Sequence, residues 1–124
     1  MGVIKEKSNY KFVDEGGKTI ASCFCGVVPE NLVNKLESLP MNDSNTKSIM
    51  GFYVMNNSRG KGFGKFLMQE IIKKEKEKGT QYLTLGVSKN NEKAINLYKN
   101  CGFVIEGNCS AGEGYHFMYL DLNS

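Results

Sequence analysis

Three glycines, Gly60, Gly62 and Gly64, fall within five positions of the stretch VMNNSRGKGFGKFLMQEIIKKEKEKG, residues 54–79. An apolar, strand-like run precedes them and a helix-like run follows. Glycine costs a helix about 1 kcal/mol relative to alanine, so their concentration points to a backbone that a ligand must approach closely. Free N–H groups at a helix start face outward, and the helix dipole adds about half a positive charge, which suits a phosphate. Glycines let the anion reach those groups with no Cβ in the way. Lys61 and Lys65 add positive charge without acidic neighbours. The chemistry expected here is the binding of a phosphorylated small ligand.

Spacing excludes two nucleotide loops. The triphosphate loop G-x-x-x-x-G-K-[ST], counted from Gly60, needs glycine where Lys65 stands. The dinucleotide fingerprint G-x-G-x-x-G needs glycine at Lys65 or at Leu67. A second block, VSKNNEKAINLYKNCGF, carries Asn91, Ala94, Leu97, Tyr98, Gly102 and Phe103 in the pattern N-x-x-A-x-x-L-Y-x-x-x-G-F. On spacing alone Tyr98 is one residue of an apolar helix face.

The run Arg59-Gly60-Lys61-Gly62-Phe63-Gly64 resembles the coenzyme A loop of the GNAT family of N-acetyltransferases, and the second block resembles that family's other signature. The two stand in the family's order and cover residues 49–103. The resemblance implies a mixed α/β (α+β) fold with a mostly antiparallel central sheet, flanked by helices and splayed at an acetyl-CoA cleft. It implies direct transfer of the acetyl group of acetyl-CoA to a primary amine, with no metal and no covalent enzyme intermediate. The backbone of Phe52, Tyr53 and Val54 would pair with the pantetheine arm and hold the thioester carbonyl. Gly60, Lys61, Gly62, Phe63, Gly64 and Lys65 would offer N–H groups to the pyrophosphate, and Arg59 would belong to the same cofactor-binding set. Asn91 would bond the pantetheine chain, and Tyr98 would stand near the sulfur as the proton donor. Such a Tyr, with an ordinary pKa of about 10, holds its proton at neutral pH.

Two departures from the family pattern matter. Many relatives carry a Glu where Gly86 stands, and residues 49–55 offer no carboxylate, so the base is unassigned. Asp14, Glu15, Glu106 and His116 are the remaining candidates, with His116 read as structural. The family's usual first strand and helices have no clear counterpart, so the chain reads as one acetyltransferase domain over 1–124 with a short front. The resemblance, and the open front, imply a homodimer. The competing reading is an acyl-CoA-binding or regulatory module without turnover: Tyr98 argues against it, Gly86 and the short front for it. The acceptor is open among small amines, amino acids, antibiotics and protein termini or lysines.

The elements that must position these residues follow from patterning. Residues 10–14 and 19–28 read as strands around the turn Glu15-Gly16-Gly17-Lys18. PENLVNKLESL reads as a helix, PMNDSNTKS as a polar loop, and residues 49–55 as a strand buried on both faces. From Phe63 a helix face of Phe63, Phe66, Leu67 and Ile71 runs to a stop at Gly79. Glu70, Glu75 and Glu77 interleave lysines there as a solvated face. A strand over 81–87 follows, then a helix capped by Asn90 or Asn91 and ended by Gly102, then two strands around the loop 108–114. Strand–helix–strand order in the middle implies a parallel crossover.

With 40% hydrophobic and 23% charged residues in 124, the chain has an ordinary globular composition. No apolar run approaches a membrane span and no signal peptide is legible. A net charge of +3 without interleaved basic and aromatic surface argues against nucleic acid. Cys23, Cys25, Cys101 and Cys109 fit no metal spacing, and read as reduced thiols of a cytoplasmic protein.

Overall fold

A computed structural model of the chain describes residues 2–27, 41, 44–108 and 114–123. The expected helix over 29–39 and most of the loop 108–114 lie outside the described residues. The elements are β1 (Gly2–Glu6), β2 (Asn9–Val13), β3 (Thr19–Val27), β4 (Thr46–Val54), a 3₁₀ turn (Asn56–Ser58), α1 (Phe63–Glu77), β5 (Tyr82–Ser88), α2 (Glu92–Asn100), β6 (Val104–Asn108) and β7 (Tyr115–Asp121). The strands form one sheet in the order β1-β2-β3-β4-β5-β7-β6. All neighbours are antiparallel except β4 and β5, the parallel pair that the α1 crossover requires. No described helix is long and apolar enough to cross a membrane.

Side chains of α1 and α2 join the inward faces of the strands in one core, with Phe12, Cys23, Leu67, Ile71, Leu85, Tyr98 and Met118 among its members. The β2–β3 turn is closed by the Asp14 carboxylate, which accepts from the N–H groups of Gly16 and Lys18, both at 2.9 Å. That gives Asp14 a structural task. Helix α1 ends as its sequence predicts, with Gly79 in the left-handed region at φ 91°. The buried thiols of Cys23 and Cys25 are pushed up to about 12 by desolvation, and so stay protonated in the core.

Four expectations need correction. Strand β1 precedes the first expected hairpin, pairing Val3 with Phe12 and Lys5 with Tyr10. Its polar edge residues hide it from periodicity, and β2 supplies the pairing. Residues 46–48, read as loop, are strand: Thr46 and Ser48 are buried and pair with Tyr82 and Thr84 of β5. The outer part of β4, read as buried on both faces, is half open, with Tyr53 43% exposed. Glu75, read as solvated, is buried on the α1 face that also carries Leu67, Met68 and Ile71. Its carboxylate accepts from the Tyr10 hydroxyl, from Thr80 Oγ1 at 2.9 Å and from Lys78 Nζ at 3.2 Å. Three donors make that burial tolerable.

Candidate functional site

Strands β4 and β5 pair only at Thr46–Tyr82, Lys47–Leu83 and Ser48–Thr84. Beyond Ser48 the two edges separate. The β3–β4 register shifts by one residue between Ser22–Tyr53 and Phe24–Met50, which marks a bulge on β4. Gly51 sits at that bulge with φ 62°, a left-handed conformation that glycine adopts without a Cβ penalty. A bulge bends its strand and increases its twist, and here it turns the end of β4 away from β5.

The gap holds a cavity of about 500 Å³, lined by residues 48–52 of β4, residues 85–88 of β5, and Asn91, Tyr98 and Tyr115. Tyr98 belongs to the core beneath the helices. Tyr115 pairs with Ser88, one step along β5 from the core residue Val87, and so points to the opposite side. The cavity therefore passes through the sheet. A second cavity, about 630 Å³, continues along the helix starts and shares Phe52 and Asn91 with the first. Phe52, Tyr53, Val54, Arg59, Gly60, Gly62, Phe63, Gly64, Lys65 and Asn91 all line it. Of the residues expected from sequence, Lys61 is exposed on the loop outside that lining, and Tyr98 faces the first cavity.

The glycines divide by task. Gly60 and Gly62 have φ 77° and 82°, and open space surrounds the place a Cβ would take. They permit the turn and leave its N–H groups accessible. Gly64 is different: a Cβ there would lie 3.1 Å from Leu97 Cδ1 and 3.3 Å from Val54 Cγ2. It lets α1 press against α2 and β4.

Asn91 caps α2, its Oδ1 accepting from Ala94 N–H at 3.2 Å, which leaves its amide protons for a ligand. The Tyr98 ring meets Phe52 edge-on at 5.9 Å and Phe103 at 6.0 Å, which fixes its position. Burial, with Cys23 and Cys101 nearby, pushes the Tyr98 hydroxyl up to about 12. Lys93, in the first turn of α2, also lines the groove and was missed in the sequence. A lysine next to a helix start opposes the dipole, and that mismatch is the signal that marks it. Gly86 is exposed at the cavity edge. His116 pairs with Val87 and Asn108 inside the sheet, and Glu106 lies on β6 at the sheet edge.

The sequence model of the acetyltransferase (GNAT) family matches residues 3–103. The chain belongs to the GNAT family. Its GNAT sequence is 36% identical over 70 residues to streptothricin acetyltransferase of Streptomyces lavendulae, covering 52% of this chain and 37% of that protein. It is 33% identical over 70 residues to the L-methionine sulfoximine/L-methionine sulfone acetyltransferase of Pseudomonas aeruginosa, covering 56% and 41%. The chain thus matches well under half the length of these curated relatives. Among solved structures, the ribosomal-protein-alanine N-acetyltransferase of Brucella melitensis superposes with a TM-score of 0.71 at 22% identity, over 91% of this chain and 67% of that one. That likeness concerns the fold: an open, mostly antiparallel sheet of seven strands flanked by helices.

Proposed function

We propose that this GNAT domain transfers the acetyl group of acetyl-CoA to a primary amine. The observation that carries the reading is the cavity through the β4–β5 split, joined at Phe52 and Asn91 to a groove along two helix starts. In this reading the pyrophosphate lies against the N–H groups around Gly60 and Gly62, between Lys65 and Lys93. The pantetheine arm runs along the unpaired edge of β4. Met55 N–H donates to Ile20 of β3 at 2.9 Å. Alternation therefore turns the Val54 N–H, and the groups of Phe52 before it, to the cleft, while the Val54 carbonyl on the same edge accepts from Arg59 Nε. Tyr53 turns its own toward Ser22.

The thioester reaches the split beside Tyr98, and the amine arrives from the Tyr115 side. The amine lone pair forms the C–N bond, the oxyanion is held by backbone N–H groups of β4, and the C–S bond then breaks. A phenol held near 12 does not surrender its proton outright to a thiolate, whose acid has an ordinary pKa of about 8.5. Tyr98 instead donates a hydrogen bond to the departing sulfur and passes its proton to it as its oxygen regains the proton that leaves the nitrogen, so the products are amide, thiol and an unchanged phenol.

Amine-dependent release of free thiol from acetyl-CoA, with the N-acetylated product seen by mass spectrometry, tests this. An amine panel should include an amino acid, a diamine, an aminoglycoside-type antibiotic and a peptide. Saturable acetyl-CoA binding with no turnover on any of them would favour an acyl-CoA-binding module instead.

A further inference from the structure

Arg59 stands beside a groove read as an anion site, and a salt bridge to phosphate is its obvious role. Its Nε–H and one face of its guanidinium are already engaged elsewhere. Nε–H donates to the carbonyl of Val54 at 2.9 Å, and the guanidinium carbon lies 4.9 Å from the centre of the Tyr53 ring. The backbone closes the same turn, with Ser58 N–H donating to Met55 at 2.9 Å. Residues 54–59 thus form a ring completed by one side chain. Gly60, in the left-handed region, leaves that ring to begin the glycine loop.

The Val54 carbonyl lies on the edge of β4 that faces away from β3, where no strand partner reaches it. A planar guanidinium can satisfy that acceptor through Nε while its face stacks on an aromatic ring, a pairing of side donor and flat face that lysine lacks. We infer that Arg59 is a positioning residue: it ties the start of the glycine loop to the end of β4 through the Val54 carbonyl and the Tyr53 ring, and so holds the Gly60 and Gly62 N–H groups in place. The ligand half of this inference rests on the acetyl-CoA reading of the groove.

Two substitutions separate a tie from a charge. Glutamine places an amide nitrogen at the same number of bonds from Cα as Arg Nε, so Arg59→Gln keeps the donor to Val54, the main part of the tie, and loses the charge with its stack on Tyr53. Arg59→Lys keeps the charge and puts a methylene where the donor was. Calorimetry with CoA should show Arg59→Gln within about twofold of wild type and Arg59→Lys weaker by about tenfold, the scale of one hydrogen bond, both with unchanged thermal midpoints. The reverse order, or equal effects of the two, overturns the inference.

Amide exchange over residues 55–62 of the ligand-free protein supplies a second readout. It should quicken in Arg59→Lys and stay at the wild-type rate in Arg59→Gln; no change in Arg59→Lys overturns the tie. This readout needs no cofactor. A wild-type chain that fails to bind CoA would sink the functional reading, while exchange still decides what Arg59 does.

Discussion

Asn91 accepts the N–H of Ala94 at 3.2 Å while lining both halves of the cleft, so one side chain starts α2 and faces the ligand space. The two tasks use different atoms, and substitution can divide them. Asn91→Asp keeps the capping oxygen and loses the amide donor; Asn91→Ala loses both. Chemical denaturation should find Asn91→Asp close to wild type and Asn91→Ala less stable by about 1 kcal/mol. Both should bind CoA more weakly, because neither carries the donor.

Tyr98 is held by Phe52 and Phe103 around its ring, and its hydroxyl contributes little to that packing. Tyr98→Phe should therefore fold normally, bind acetyl-CoA within about twofold, and lose turnover by about a hundredfold or more, the range of one positioned proton donor. With the hydroxyl pushed up to about 12, wild-type turnover should show no alkaline loss from this group below about pH 11. Unchanged turnover in Tyr98→Phe, measured by thiol release, would remove it from the reaction.

Gly62 and Gly64 should fail in different ways. Gly62→Ala places a Cβ in open space but at φ 82°, so it strains the loop by about 1–2 kcal/mol and should weaken CoA binding more than it lowers the melting point. Gly64→Val forces branched carbon against Leu97 and Val54, and should cost about 1–3 kcal/mol of stability as overpacking does. Thermal melts read beside calorimetry distinguish the two patterns.

Glu75 joins the end of α1 to the N-terminal hairpin through Tyr10. Burial alone would raise its carboxyl, but the hydrogen bonds from Tyr10, Thr80 and Lys78 outweigh that and hold it below its ordinary value of 4.5. A depressed carboxyl stabilises the fold above its unfolded-state value, and that stability is lost as pH falls through the folded one. Wild type should lose stability as pH drops below about 4.5, and Glu75→Gln should show a shallower loss there. At neutral pH Glu75→Ala should cost about 2–3 kcal/mol, since it leaves the Tyr10 and Thr80 hydroxyls without their acceptor. Denaturant titrations at several pH values check both statements.

Much of the cleft was legible because its parts are local. The glycine loop and the Asn91–Tyr98 spacing each lie within one turn or one helix, where sequence distance and spatial distance agree. What escaped depends on partners remote in sequence. Thr46–Ser48 look like loop until β5 arrives beside them to make them strand. Glu75 looks solvated until Tyr10, sixty-five residues away, donates to it. Gly51 is one glycine in an apolar run, and only the register against β3 shows that it bends β4 and opens the split. Arg59 is placed with the cofactor by its motif, yet its first partner is a carbonyl five residues back.

The most direct test is a calorimetric titration of the wild-type chain with acetyl-CoA, repeated with CoA and with ATP as a control anion. Saturable one-to-one binding of both coenzyme A forms, and none of ATP, is the result that a cleft built to take the pantetheine arm through the sheet predicts. Absence of coenzyme A binding, or equal binding of ATP, would contradict it.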